Sequence, residues 1–172
     1  MATDREQSFL ALVRQNDVRL RRICRVYGRE SDAQEDLYQE ILLQLWRSLP
    51  SFAGASSADT WLYRVALNTA LAHARRRSRH LETSLDDKWD REDTAPAIDD
   101  AGERIDAAER LEQLYAAIDR LNDVDKMLVT MYLDDRSYRE MADVIGISEN
   151  HVGVKLNRIK KALARWLAEE TV

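Results

Sequence analysis

Apolar residues recur along this chain at intervals of three and four, the period of an α-helix with one face turned to a core. In the first such stretch Phe9, Leu12, Val13, Leu20, Ile23, Cys24 and Tyr27 form a stripe broken only by Asn16, and Gly28 is placed to stop the helix. A second helix is expected from Ser31, which has capping-box spacing to Gln34, to about Leu49 ahead of Pro50. At about 100° per residue, Leu37, Tyr38, Ile41, Leu42, Leu45, Trp46 and Leu49 fill one continuous half of its circumference. The other half carries Asp36, Gln39, Glu40, Gln44 and Arg47 with Leu43 in their midst, so Leu43 should be exposed. A lone exposed leucine is ordinary. One ringed by carboxylates and amides on an otherwise cleanly divided helix suggests a protein-binding patch.

After a loop of small residues, FAGASSAD, a third helix is expected from about Ala58 to Arg77 or a little beyond, apolar over most of its surface. The remaining stripe brings Trp61, Arg64, Asn68, Leu71, Arg75 and Arg79 within roughly 80° of one another. Arg75, Arg76, Arg77 and Arg79 then form a cationic terminus, favourable at the negative end of the helix dipole and able to reach phosphates. An aromatic ring, an amide and several guanidinium groups along one face suit stacking on bases while holding a backbone. The plainer reading makes Trp61 part of the core and the arginines a solvated face.

In the last third, Leu111, Leu114, Tyr115, Ile118 and Leu121 mark one helix, and Val124, Met127, Leu128, Met131 and Tyr132 another. In the SYREMADVIGISENHVGVKLNRIKKALARWL that follows, Ser137 and Glu140 have capping-box spacing. Ala142 and Gly146 stand four apart, as the close approach and turn of a helix-turn-helix require, and Ser148 is placed to cap the next helix. That helix should bury Val152, Leu156, Ile159, Leu163 and Trp166 and turn Asn150, His151, Val154, Lys155, Arg158 and Lys161 outward.

Composition supports an all-α fold: five glycines and two prolines, Pro50 and Pro96, leave long stretches uninterrupted. The net charge of −5 argues against nucleic-acid binding only until it is resolved along the chain. Residues 1–81 carry +4, residues 82–106 carry −7 and residues 107–172 carry −2. The acidic middle has no sustained apolar period and is expected to be a linker between two small helical domains, 1–81 and 107–172. It is either a solvated tether or a polyanionic strand for a cationic channel in a partner.

The single cysteine, Cys24, cannot pair within the chain and falls on an apolar stripe, the usual place of a buried thiol. His73, His80 and His151 have no metal-ligand spacing with it, so neither metal nor other cofactor is expected. No glycine-rich phosphate loop and no clustered nucleophile and base are present, which argues against an enzyme. The N-terminal residues scatter charge where a secretory signal needs an apolar run, and no stretch suits a membrane span; a cytoplasmic protein without membrane insertion is expected.

The segments DAQEDLYQEILLQLWRSLPSF and TWLYRVALNTALAHARRRSR, followed by the helix-turn-helix, resemble the extracytoplasmic-function (ECF) group of the bacterial sigma-70 family. These compact members keep only the domains called sigma-2 and sigma-4. The resemblance implies a sigma-2-like domain in 1–81 that binds the clamp coiled coil of core RNA polymerase through Asp36, Gln39, Glu40, Leu43 and Arg47. It implies that Trp61, Arg64, Asn68, Arg75, Arg76 and Arg79, with the loop from Phe52 to Ser57, read and open the −10 promoter element. A sigma-4-like domain in 107–172 would read the −35 element through Asn150, His151, Val154, Lys155 and Arg158, and dock on the polymerase flap. The linker would thread toward the RNA exit channel, and an anti-sigma factor is implied as a further partner. Asn150 and His151 depart from the usual opening of the recognition helix. Gly153 sits inside it at a cost of about 1 kcal/mol relative to Ala, and Asn122 stands where Pro is frequent. The competing interpretation is a helix-turn-helix repressor or activator that binds duplex DNA without polymerase. It leaves the faces of the second and third helices without a purpose.

Overall fold

The computed structural model describes residues 4–52, 57–84 and 107–169; over residues 78–84 it describes the backbone alone. The acidic segment therefore lies outside the described residues, except for its first three positions, which continue the third helix. Seven α-helices follow in order among the described residues: α1 Asp4–Tyr27, α2 Ser31–Ser48, α3 Ala58–Ser84, α4 Ala107–Asp119, α5 Asp123–Leu133, α6 Tyr138–Ile145 and α7 Glu149–Glu169. A single 3₁₀ turn, Leu49–Ser51, ends the run of α2 at Pro50.

Helices α1, α2 and α3 pack on one another, and α7 is the post against which α4, α5 and α6 lean. The two groups also meet, α3 lying on α6 and α1 on α4 and α5. One continuous apolar core results, from Leu20, Ile23, Leu37, Ile41 and Leu45 through Leu62, Tyr63 and Leu67 to Ile118, Leu128, Met131, Met141 and Leu156. Asn16, the one break in the α1 stripe, is itself buried; its amide donates to the Leu12 carbonyl at 2.9 Å and its oxygen accepts from Arg19 at 2.8 Å. A polar group taken from water needs such partners.

Three local expectations are corrected. The residue capping α2 is Glu30, and Ser31 is already helical; Gln34 reaches back to donate to the Gly28 carbonyl at 3.0 Å in place of a capping box. Gly28 does follow the end of α1, but the need for glycine there is close approach: a Cβ would stand 3.0 Å from the Cys24 carbonyl oxygen and from Gln34 Cγ. Leu111, Val124 and Tyr132, assigned to apolar stripes, are exposed, the Tyr132 ring under the Lys160 ammonium 4.1 Å away.

The helix-turn-helix forms as its caps require. Ser137 and Glu140 make a complete capping box at the start of α6, and Gly146 ends it at φ 83° in the left-handed region that favours glycine. Ser148 accepts from the His151 amide at 3.2 Å to open α7.

Candidate functional site

Helix α2 is divided as its sequence requires, with Ala33, Leu37, Tyr38, Ile41 and Leu45 buried. On the opposite side Asp36, Gln39, Leu43 and Arg47 are exposed, Leu43 to 45%. Glu40 differs from the other four expected docking residues. It is half-buried, and its carboxylate accepts from His73 Nδ1 at 2.8 Å and from Arg76, both on α3. Burial opposes its ionisation, but the hydrogen bonds from His73 and Arg76 and their charge outweigh it and hold the carboxyl below its ordinary range. Glu40 thus braces α2 against α3, and the outward patch is carried by the other four.

On α3, Arg64, Asn68, Arg75, Arg76 and Arg77 are exposed. Trp61 is half-buried: it packs against the core, and its ring also meets Phe52, centroids 5.1 Å apart and planes 39° apart. The core reading and the outward-face reading of this tryptophan each capture one side of the ring. Ser57 accepts from the Thr60 amide at 3.1 Å and so caps α3, which begins at Ala58 as expected. Residues 53–56 of the loop and the side chain of Arg79 lie outside the described residues.

The arginines of this face have intramolecular partners. Arg64 Nη2 donates to the Asp143 carbonyl of α6 at 2.6 Å, and Arg75 lies 3.5 Å from the Asp123 carboxylate of α5. Arg76 pairs with Glu40, and Arg77 lies 3.6 Å from Glu30. Arg75, Arg76 and Arg77 are therefore matched by carboxylates of the same chain. Exposed pairs of this kind are worth roughly 0–1 kcal/mol, so a polyanion could compete for them.

The outer face of α7 is more open. Val152, Leu156, Ile159 and Leu163 are buried beneath it, while Asn150, His151, Val154 and Arg158 are exposed, Val154 to 44%. Lys155 is the exception among the expected contacts: it is half-buried, its ammonium 3.2 Å from the Asp125 carboxylate. Two of the departures of sequence in this half, Gly153 and Asn122, have local reasons. At Gly153 a Cβ would lie 3.3 Å from the ring of Tyr138, so the missing side chain lets that ring lie on α7. Asn122 is the N-cap of α5, accepting from the Asp125 amide at 3.0 Å, a bond that Pro could not supply from a side chain.

Sequence reasoning missed the polar contacts that join the two groups of helices. Along α1, Arg22 pairs with Asp134, Arg25 with Glu112 and Arg29 with Asp119. These arginines recur at helical spacing, but nothing in the periodicity says which carboxylates they meet. Among the described residues no group of three or more His, Cys, Asp or Glu side chains could hold a metal ion, and no helix is long and apolar enough to cross a membrane.

Comparison with known proteins places these faces in a family. The description "Sigma-70 region 2" matches residues 12–80 and "Sigma-70, region 4" matches residues 111–163. The ECF RNA polymerase sigma factor SigE of Mycolicibacterium smegmatis is 31% identical over 163 residues, covering 93% of this chain. This chain spans 62% of the length of that relative. The ECF RNA polymerase sigma-E factor of Escherichia coli is 30% identical over 134 residues, 74% of this chain and 70% of its own. The sigma factor RpoE from Bartonella quintana, solved in complex with the anti-sigma factor NepR, shares the fold at a TM-score of 0.70 and 21% identity, over 97% of this chain and 98% of that one. With both sigma-70 regions present in order, the chain belongs to the ECF sigma factors of the sigma-70 family.

Proposed function

We propose that this chain is a promoter-specificity subunit of RNA polymerase. Residues 1–81 dock on the clamp coiled coil and open the −10 element, and residues 107–172 read the −35 element and meet the flap. The acidic residues between them pass toward the RNA exit channel. The protein works in the cytoplasm and performs no bond chemistry; it changes the free energy of strand separation. Flipping a base out of the stack costs a few kcal/mol, and stacking on a ring such as Trp61 returns about 1 to 3 kcal/mol per base.

The observation that carries this reading is Leu43, exposed on α2 among Asp36, Gln39 and Arg47 while the other half of that helix is buried. A repressor that bound duplex DNA alone would have no use for such a patch. An anti-sigma factor is proposed as a partner because a protein of the same fold, RpoE of Bartonella quintana, was solved in complex with one.

The test combines run-off transcription on genomic fragments, using core polymerase from the same organism, with a pull-down of core by the protein. A defined start site that depends on the protein is expected. Leu43→Asp should lose core binding while circular dichroism keeps its helical signal. Specific duplex binding without polymerase, together with no effect of Leu43→Asp on core capture, would favour the repressor instead.

A further inference from the structure

Arg75, Arg76 and Arg77 follow one another near the basic end of α3, and their partners differ in kind. Arg75 and Arg77 face carboxylates that are open to solvent, Asp123 at 3.5 Å and Glu30 at 3.6 Å, with side chains 46% and 77% exposed. Arg76 instead meets Glu40, whose side chain is 26% exposed. One carboxylate oxygen of Glu40 accepts from His73 Nδ1 at 2.8 Å and the other accepts from Arg76 Nη2. An ionised carboxylate can only accept, so the Nδ1 of His73 carries the hydrogen. Burial opposes ionisation of Glu40, yet the bonds from His73 and Arg76 hold the carboxyl below its ordinary range. The bridge therefore stays charged near neutral pH.

Glu40 follows Gln39 of the outward patch in sequence, but both of its oxygens are taken by α3. Arg76 remains 54% exposed in spite of the tie. A guanidinium carries five donors in a rigid fork, so the bond at Nη2 leaves most of that fork to meet a phosphate. A long side chain on a solvated helix end ordinarily gives up its rotamer freedom when it binds. Here the bond to Glu40 has ordered the arginine beforehand. The whole arrangement lies within α2 and α3 and does not depend on how α4 to α7 pack.

We propose that Glu40 is a positioning residue for promoter opening: backed by His73, it fixes Arg76 on the DNA-facing end of α3 and makes no contact with polymerase itself. This inference rests on the proposed function, and it assigns to Glu40 a different part from its neighbours Asp36, Gln39, Leu43 and Arg47. The negative charge that Glu40 sets beside the arginines lowers their general attraction for DNA. What the residue contributes is therefore order at one phosphate contact. Its loss should leave binding intact and impair the step that needs a fixed guanidinium.

The test follows three steps with the full chain, core polymerase and one promoter found by run-off transcription: capture of core, binding of the closed duplex, and opening. Opening is read by permanganate reaction of unpaired thymines. Glu40→Gln should capture core as the parent does and bind the closed duplex at least as well, because a negative charge has left the arginine terminus. Its opening should fall about tenfold, the loss expected when a charge-assisted hydrogen bond no longer orders the guanidinium. Arg76→Ala should lose as much opening, and the double variant no more than either, since the two residues act as one unit. Glu40→Asp keeps the charge but draws it back from α3 by one methylene; it should show the same split and replaces Glu40→Gln if that variant melts early. Loss of core capture by a folded Glu40→Gln would make the residue a polymerase contact and overturn the proposal. Opening like that of the parent, or losses that add in the double variant, would overturn it as well. Leu43→Asp is the reference for the docking face. Normal core capture by Leu43→Asp removes the docking patch of the proposed function, whereas lost capture there with no opening defect in Glu40→Gln removes the role of Glu40 alone.

Discussion

The two helices that carry the candidate DNA-reading faces, α3 and α7, stand in opposite conditions. On α7 the face is ready: an unbroken buried stripe lies beneath it, and Asn150, His151, Val154 and Arg158 are exposed. On α3 the equivalent arginines are engaged, Arg64 by the Asp143 carbonyl and Arg75 by the Asp123 carboxylate. Both helices carry the same kind of pattern, an outward polar stripe beside an apolar one. What separates them is that α7 turns its stripe away from the rest of the chain and α3 turns its stripe toward it. A polar stripe therefore identifies a surface able to bind something, and the tertiary arrangement decides whether it is already bound.

The contrast can be broken most severely from beneath α7. Leu156 is 1% exposed at the centre of the helix-turn-helix, and Leu156→Ala should cost about 2 to 5 kcal/mol. Urea denaturation followed by circular dichroism measures this, and −35 binding should fall with the folded fraction. A cost below about 1 kcal/mol would mean that α7 is not a rigid post for α4, α5 and α6.

The next effect separates exposed from engaged cations. Arg158→Ala should lose about 1 to 3 kcal/mol of discrimination for −35 sequence, with stability unchanged within about 0.5 kcal/mol because the residue is exposed. Lys155→Ala should weaken DNA less, since that ammonium is held by Asp125. Affinities for matched and scrambled −35 duplexes, measured with the reconstituted polymerase complex, decide the order. Equal losses from the two variants would show that the Asp125 pair gives way freely to DNA.

A smaller effect should come from the cap that holds Asp125. Asn122 donates to the Asp125 carboxylate at 2.8 Å and accepts from its amide, so Asn122→Ala should destabilise the second half by about 1 kcal/mol. Thermal melting reports that loss. The smallest change has the opposite sign. Gly153→Ala gains most of the helix propensity that glycine lacks, up to about 1 kcal/mol, against a 3.3 Å approach to the Tyr138 ring. That ring is 41% exposed and can give way, so a net stabilisation of about 0.5 kcal/mol is expected. A lower melting temperature would mean instead that Tyr138 is fixed on α7.

Much of the architecture was legible because helical amphipathicity is a local signal. The inner stripe of α7, the capping box at Ser137 and the left-handed turn at Gly146 each depend on residues within a few positions of one another. The capping box expected at Ser31 failed for a related reason: two residue types at the right spacing do not decide whether the backbone at the first is already helical, and Gln34 found the Gly28 carbonyl instead. The exposed side of α2 was also legible, except that Glu40 lies close enough to the neighbouring helix to be claimed by His73 and Arg76.

By itself the sequence determined the helices and their buried stripes, because these are written in spacings of three to seven residues, and its segments from Asp32 to Phe52 and from Thr60 to Arg79 carried the resemblance to the sigma-70 family. Only the tertiary structure decided which charges are partnered. Tyr63 finds Asp134 across 71 positions, and Arg64 finds the Asp143 carbonyl across 79. The period of one helix carries no information about where a distant helix will lie, and the burial that makes Asp134 strongly dependent on its partners exists only after the two groups of helices have docked.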